Sequence, residues 1–164
     1  MIVPDARTAS VFDIVAEPRG HLYRALIKWC ASRCAAALVV VRDCAALSER
    51  AQDVLCQLDP ALATIEIAQQ WPGTTLLSSR DRAAVYRYEL TAPIVEVLAA
   101  AVDGLYEWKA PDRPDDLCLL RNGGAAMLTT IAHERDAYLN LTPDEATALP
   151  QALASLRVTR RPGP

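Results

Sequence analysis

The sequence predicts a mixed α/β (α+β) fold. Helices pack on a central sheet of five to seven strands, partly parallel and partly antiparallel, with a three-strand meander near the C-terminus. Three observations lead there. Residues 34–41, CAAALVVV, are apolar without a break and end in a β-branched run, as a strand buried on both faces requires. Apolar residues at helical spacing flank that run on both sides, so a strand–helix–strand crossover between parallel strands is expected. Residues 117–141 hold three strand-like runs separated by turn chemistry, which predicts antiparallel hairpins.

The elements follow in order. Residues 1–18 are weakly patterned and end at Pro18, so they form an edge strand or an arm. Leu22, Ala25, Leu26, Trp29 and Cys30 make one helical stripe from His21 to near Arg33. After the apolar strand, Ser48 is placed to cap a helix whose stripe is Ala51, Val54, Leu55 and Leu58, stopped by Asp59-Pro60. Leu62 to Ala68 reads as a strand, Trp71-Pro72-Gly73 as a turn and Thr74 to Leu77 as a short strand. Ala83 to Leu90 alternates as a strand, and Thr91 and Pro93 open a third helix buried through Ile94, Val97, Leu98, Ala101, Val102 and Leu105. Lys109 to Asp116 carries Pro111 and Pro114 and reads as a loop. The meander runs through Leu117–Arg121, Ala126–Ala132 and Tyr138–Leu141, with Asn122-Gly123-Gly124 as its first turn. Thr142-Pro143-Asp144-Glu145 has the spacing of a capping box for a fourth helix, which Pro150 disturbs.

At 164 residues the chain makes one domain, 1–156, with residues 157–164 as a flexible basic tail carrying Arg157, Arg160 and Arg161. A composition of 52% hydrophobic and 23% charged residues supports an autonomous core and excludes disorder of the body. The net charge of −3, with no basic cluster in the body, argues against a nucleic-acid partner. The longest apolar run is too short to span a bilayer, and Met1-Ile-Val-Pro-Asp-Ala-Arg7 lacks the pattern of a signal peptide. A cytoplasmic protein without a membrane partner is expected. The five cysteines form no CxxC pair and are expected as free, buried thiols.

Catalytic chemistry has one candidate. His133, Glu134 and Asp136 at the second meander turn place an imidazole beside two carboxylates, the ingredients of a general base oriented by an acid in a small hydrolase or transferase. Opposed to it is an ordinary polar turn, because no nucleophile is specified nearby. Neither histidine has metal-ligand spacing, and the glycines form no phosphate-cradling motif, so no metal and no cofactor are expected.

Charge placement says more. Residues 103–145 hold nine acids against Lys109, Arg113, Arg121 and Arg135, interleaved with Tyr106, Trp108 and Tyr138. Carboxylates that speed encounter and aromatic anchors that supply affinity suit a surface meeting a basic protein. The expected partner-binding set is Tyr106, Trp108, Asp112, Asp115, Asp116, Glu134 and Asp136. The leading expectation is a non-enzymatic protein-binding domain, a bacterial immunity protein that neutralises a basic toxin by occlusion. A ligand-sensing or self-associating scaffold is the other alternative, with the chain a monomer or a homodimer.

At Leu105-Tyr-Glu-Trp108, Pro114-Asp-Asp-Leu-Cys-Leu-Leu-Arg121 and Ile131-Ala-His-Glu-Arg-Asp-Ala137 the chain resembles a family of short bacterial proteins. They share a Trp, a Pro-acid-Asp-Leu segment, a Gly-containing turn and an Ile-Ala-His-Glu signature. The resemblance covers about the last 60 residues well and the first hundred loosely. Some members carry the label stage III sporulation protein AH-like, which suits a membrane-anchored protein and not a chain lacking a spanning segment. The resemblance implies no established activity. It implies that Trp108, Asp115, Asp116, His133, Glu134 and Asp136 form one structural unit.

Overall fold

A computed structural model describes residues 9–163. Four α-helices accompany one large sheet. The elements are β1 Ser10–Ile14, α1 His21–Ala31, β2 Ala36–Val41, α2 Glu49–Leu58, β3 Leu62–Ala68, β4 Gln70–Trp71, β5 Thr74–Thr75, β6 Ala83–Glu89, α3 Ala92–Ala101, β7 Asp115–Leu120, β8 Ala126–Ile131, β9 Asp136–Leu141, α4 Pro143–Ala152 and β10 Val158–Arg160. Eight strands lie in the order β10-β1-β9-β8-β7-β2-β6-β3, and β4 pairs with β5 as a separate hairpin.

The mixed α/β class and the β7-β8-β9 meander are as the sequence predicts; the parallel pairing is not. Every pairing among the described strands is antiparallel. β2 and β3 do run in the same direction across α2, but β6 enters between them and pairs with both. The crossover therefore spans one strand position, which β6 fills after the β4–β5 hairpin, leaving β3 at the edge.

The apolar run of β2 explains its own placement. Ala37 and Val39 pack into the main core, which collects Tyr23, Leu26, Ile27 and Cys30 of α1, Val54 and Leu58 of α2, Ile94 and Leu98 of α3, and Leu149 of α4. Leu38 and Val40 point the other way, into a smaller cluster with Trp71, Val85, Cys118 and Leu120. Helices thus cover one face and the β4–β5 hairpin part of the other, so a central strand needs apolar residues at every position. Gly73 sets the hairpin down: its φ is +82°, and a Cβ there would lie 2.8 Å from Thr129 Cγ2. Only glycine permits that approach.

Three expectations about the ends and the thiols change. β1 is an interior strand between β9 and β10 rather than an edge or an arm; the expectation for residues 1–8 lies outside the described residues. The 157–164 stretch contains β10, paired with β1 and fastened by the Arg161–Asp13 ion pair and by Arg161 N–H bonded to the Val11 carbonyl. Short and basic though it is, it covers a sheet edge, and that backbone pairing holds it. Of the cysteines, Cys30 and Cys118 are buried, whereas Cys44 and Cys56 are exposed.

The helix caps are as predicted. Ser48 Oγ accepts from the Ala51 N–H, and Thr142 and Glu145 close a reciprocal capping box. Glu145 does more than cap: Arg121 grips it with both guanidinium ends, Nη1–Oε1 at 2.8 Å and Nη2–Oε2 at 2.7 Å, while Nη2 also donates to the Asn140 carbonyl. Burial alone would raise the Glu145 carboxyl, but the Arg121 bonds and the Thr142 N–H outweigh it and hold it below the usual glutamate range. A depressed carboxyl contributes stability that is present above the unfolded value and lost as pH falls through the folded one. Arg121→Ala is therefore expected to cost about 2 kcal/mol at neutral pH. That difference from wild type should shrink in urea titrations repeated from about pH 5 down to about pH 3.

Candidate functional site

At one end of the sheet, the 102–116 loop, the 132–136 turn and the Glu17–Gly20 segment meet. Arg19 forms a β-bridge with Gly104, and the Leu105 N–H donates to the Pro18 carbonyl. Gly104 leaves room for the Arg19 and Glu17 side-chain ends at this crossing, which a Cβ would displace. Glu17 is nearly buried and ties three elements: Oε1 accepts from the Tyr106 N–H at 2.9 Å, and Oε2 lies 3.1 Å from Arg19 and 3.5 Å from Arg135. Glu107 folds back to accept from the Asp103 and Gly104 N–H groups. Its burial opposes ionisation, but those two N–H bonds and the Arg19 charge prevail and keep its carboxyl below the usual range.

These segments wall a polar cleft of about 670 Å3. The starts of α1 and α2 and the end of α3 also contribute, through Arg24, Arg50 and Ala101. Six cationic side chains line it against four carboxylates. The expected sign is reversed here: the region read as an acidic face is, at this cleft, mostly basic.

The seven expected partner-binding residues separate accordingly. Trp108 is fully buried, its Nε1–H donating to the Tyr23 hydroxyl at 2.9 Å. Tyr106 is buried beneath the Arg135 guanidinium, which sits 5.4 Å from its ring centroid. Asp116 is fully buried and accepts from Ala132 N–H and Trp71 Nε1–H; Asp115, also buried, accepts from Ala110 N–H. Burial pushes the Asp115 carboxyl up, against the pull of that N–H bond. Arg42 lies 3.5 Å from Asp116 and 3.8 Å from Asp115. Trp108, Asp115 and Asp116 have their polar atoms engaged inside the fold and offer no anchor, while Tyr106 is buried except where it lines the cleft. Asp112 and Glu134 are exposed and Asp136 is half-buried, so only these three remain on the surface.

The catalytic candidate lies apart from this cleft. The His133 imidazole lies 3.6 Å from Glu134, both side chains are exposed, and neither lines the cleft. What the loop and turn do form is a joint: Asp116 N–H donates to the Trp108 carbonyl, and the Asp116 carboxylate receives the turn through Ala132 N–H. Among the described residues no cluster of three metal-ligating side chains occurs, and no helix is long and apolar enough to cross a membrane.

A second surface went unread in the sequence. β3 is an edge of the large sheet, seven residues long, with no proline or lysine and with Ile65 49% and Ile67 70% exposed. The opposite edge, β10, is three residues long. Edge strands ordinarily carry devices that block further pairing, and brevity is one of them; β3 has Glu66 and a register shift near its start, between Leu62 and Thr64, which leaves Thr64–Ala68 in regular pairing. Comparison of the chain with protein-family models, with curated proteins and with solved structures returned no match.

Proposed function

We propose that the chain is a non-enzymatic protein-binding domain that takes an extended segment of another protein as a ninth strand alongside β3. The supporting observation is the long, uncapped β3 edge with its two exposed isoleucines. Strand addition derives affinity from main-chain hydrogen bonds and specificity from alternate side chains. Ile65 and Ile67 stand opposite Tyr86 and Ala84, on the helix-covered side, while Glu66 stands opposite Val85 on the hairpin side. A fitting segment thus presents apolar residues to the isoleucines and a cation to Glu66. In the finer form of the proposal the segment belongs to a basic bacterial toxin, which the domain neutralises by occlusion in the cytoplasm.

The test compares the wild-type chain with Ile65→Lys/Ile67→Lys, whose positions are exposed enough to leave folding nearly unchanged. A protein captured from the source cells should lose affinity at least about tenfold in the double variant. Hydrogen exchange of the complex should show new protection at residues 62–68. A partner that binds the variant equally, or protects another segment, overturns the proposal. So does a concentration-dependent dimer of the wild-type chain that the same substitutions dissolve, since a second copy would then occupy the edge.

A further inference from the structure

The 670 Å3 cleft carries an inference independent of β3. Its four carboxylates are unequal. Glu17, Asp103 and Glu107 are all engaged by Arg19, Glu17 also by Arg135, and Glu17 and Glu107 accept backbone N–H bonds besides. Two arginines thus engage three carboxylates, and the backbone N–H bonds to Glu17 and Glu107 help to hold the extra negative charge. Arg24, Arg50, Lys109 and Arg113 remain, and among the described residues none of them is in an ion pair. Against these four cations the cleft sets only Asp112.

Arg113 is held in place before any ligand arrives. Its Nε donates to the Ala101 carbonyl at 2.7 Å and its Nη1 to the Asp112 carbonyl, which leaves Nη2 without a protein partner among the described residues. Arg50 stands in the first turn of α2, whose free N–H groups add positive potential. Arg50 and Arg113, with Ala100 and Ala101, also line a neighbouring depression of about 330 Å3, where Asp53, Val54, Gln57 and Val97 complete the wall, so the positive charge is confined to the main cleft and its shared border. Ala100, Ala101, Val102 and Pro111 supply an apolar wall beside it.

We propose that this cleft binds a small molecule bearing a di- or triphosphate, its anionic end held by Arg24, Arg50, Lys109 and Arg113 and its uncharged part laid along the alanine wall. Planar guanidinium groups match phosphate oxygens in pairs, which favours phosphate over a single carboxylate. The six cations of the lining exceed its four carboxylates, so the cleft attracts an anionic ligand. The volume falls in the range of small-molecule sites.

Calorimetric titration of the full chain with pyrophosphate, ATP and citrate tests this at constant ionic strength. Pyrophosphate or ATP should bind, and Arg50→Ala/Lys109→Ala, both exposed positions, should weaken that binding at least about tenfold while the unfolding curve stays unchanged. Ile65→Lys/Ile67→Lys should bind the phosphates as wild type does, which separates this site from the β3 edge. Binding that survives Arg50→Ala/Lys109→Ala overturns the assignment, as does citrate matching pyrophosphate or no heat with either phosphate.

Discussion

Trp108→Ala is expected to lower the unfolding free energy by about 3–5 kcal/mol, enough to unfold much of a marginally stable domain. Trp108 is fully buried in the main core, with Tyr23, Leu98 and Leu105 in the same cluster. Part of the loss is the cavity a removed indole leaves. The rest is polar: Trp108 Nε1–H donates to the Tyr23 hydroxyl, which donates in turn to the Leu98 carbonyl at 2.7 Å. That relay joins the 102–116 loop to α1 and α3, and burial pushes the Tyr23 hydroxyl well above its ordinary range. Trp108→Phe separates the two parts, keeping most of the volume while removing the donor. It should cost about 1–2 kcal/mol, read as a smaller shift of the urea midpoint with an unchanged slope. Equal losses in the two variants would mean that the hydrogen bond, not the packing, carries the contribution.

Trp108 also shows what a sequence conveys and what it withholds. Its position beside a proline loop and among acids suggested an anchor for a partner; its actual contact, Tyr23, lies 85 residues away. Features set by near neighbours were legible. The strand at 62–68, the Ser48 cap and the Thr142–Glu145 box all follow from spacing within a few residues, where periodicity and capping chemistry operate. Features set by distant partners were not. The 103–145 stretch looks most acidic when its charges are counted alone; Arg19 and Arg42, supplied from the first hundred residues, pair with four of its carboxylates and offset part of their charge. The place of β6 between β2 and β3, and hence the exposure of Ile65 and Ile67, likewise depends on strand order, which hydropathy does not encode. An apolar residue alternating in a strand looks the same in the middle of a sheet and at its rim.

Asp116→Ala is expected to cost a further set of about 3–5 kcal/mol, for reasons that owe nothing to volume. The carboxylate is fully buried, accepting from Ala132 N–H at 2.9 Å through Oδ1 and from Trp71 Nε1–H at 3.1 Å through Oδ2, with Arg42 at 3.5 Å. Alanine leaves both donors without an acceptor and removes the nearest charge facing the guanidinium. The backbone adds a second penalty, because Asp116 sits at φ +56°, where aspartate is tolerated and alanine is disfavoured by about 1 kcal/mol or more. Asp116→Gly isolates the polar loss, since glycine takes that φ freely and restores no acceptor. The glycine variant should therefore recover about 1 kcal/mol relative to alanine and remain far below wild type. Because Asp116 clamps the β4–β5 hairpin through Trp71 and the 132–134 turn through Ala132, hydrogen exchange in the glycine variant should quicken at both segments before the helices open. Uniform acceleration across the sheet would instead assign Asp116 to the global core, and a glycine variant as stable as wild type would remove the clamp altogether.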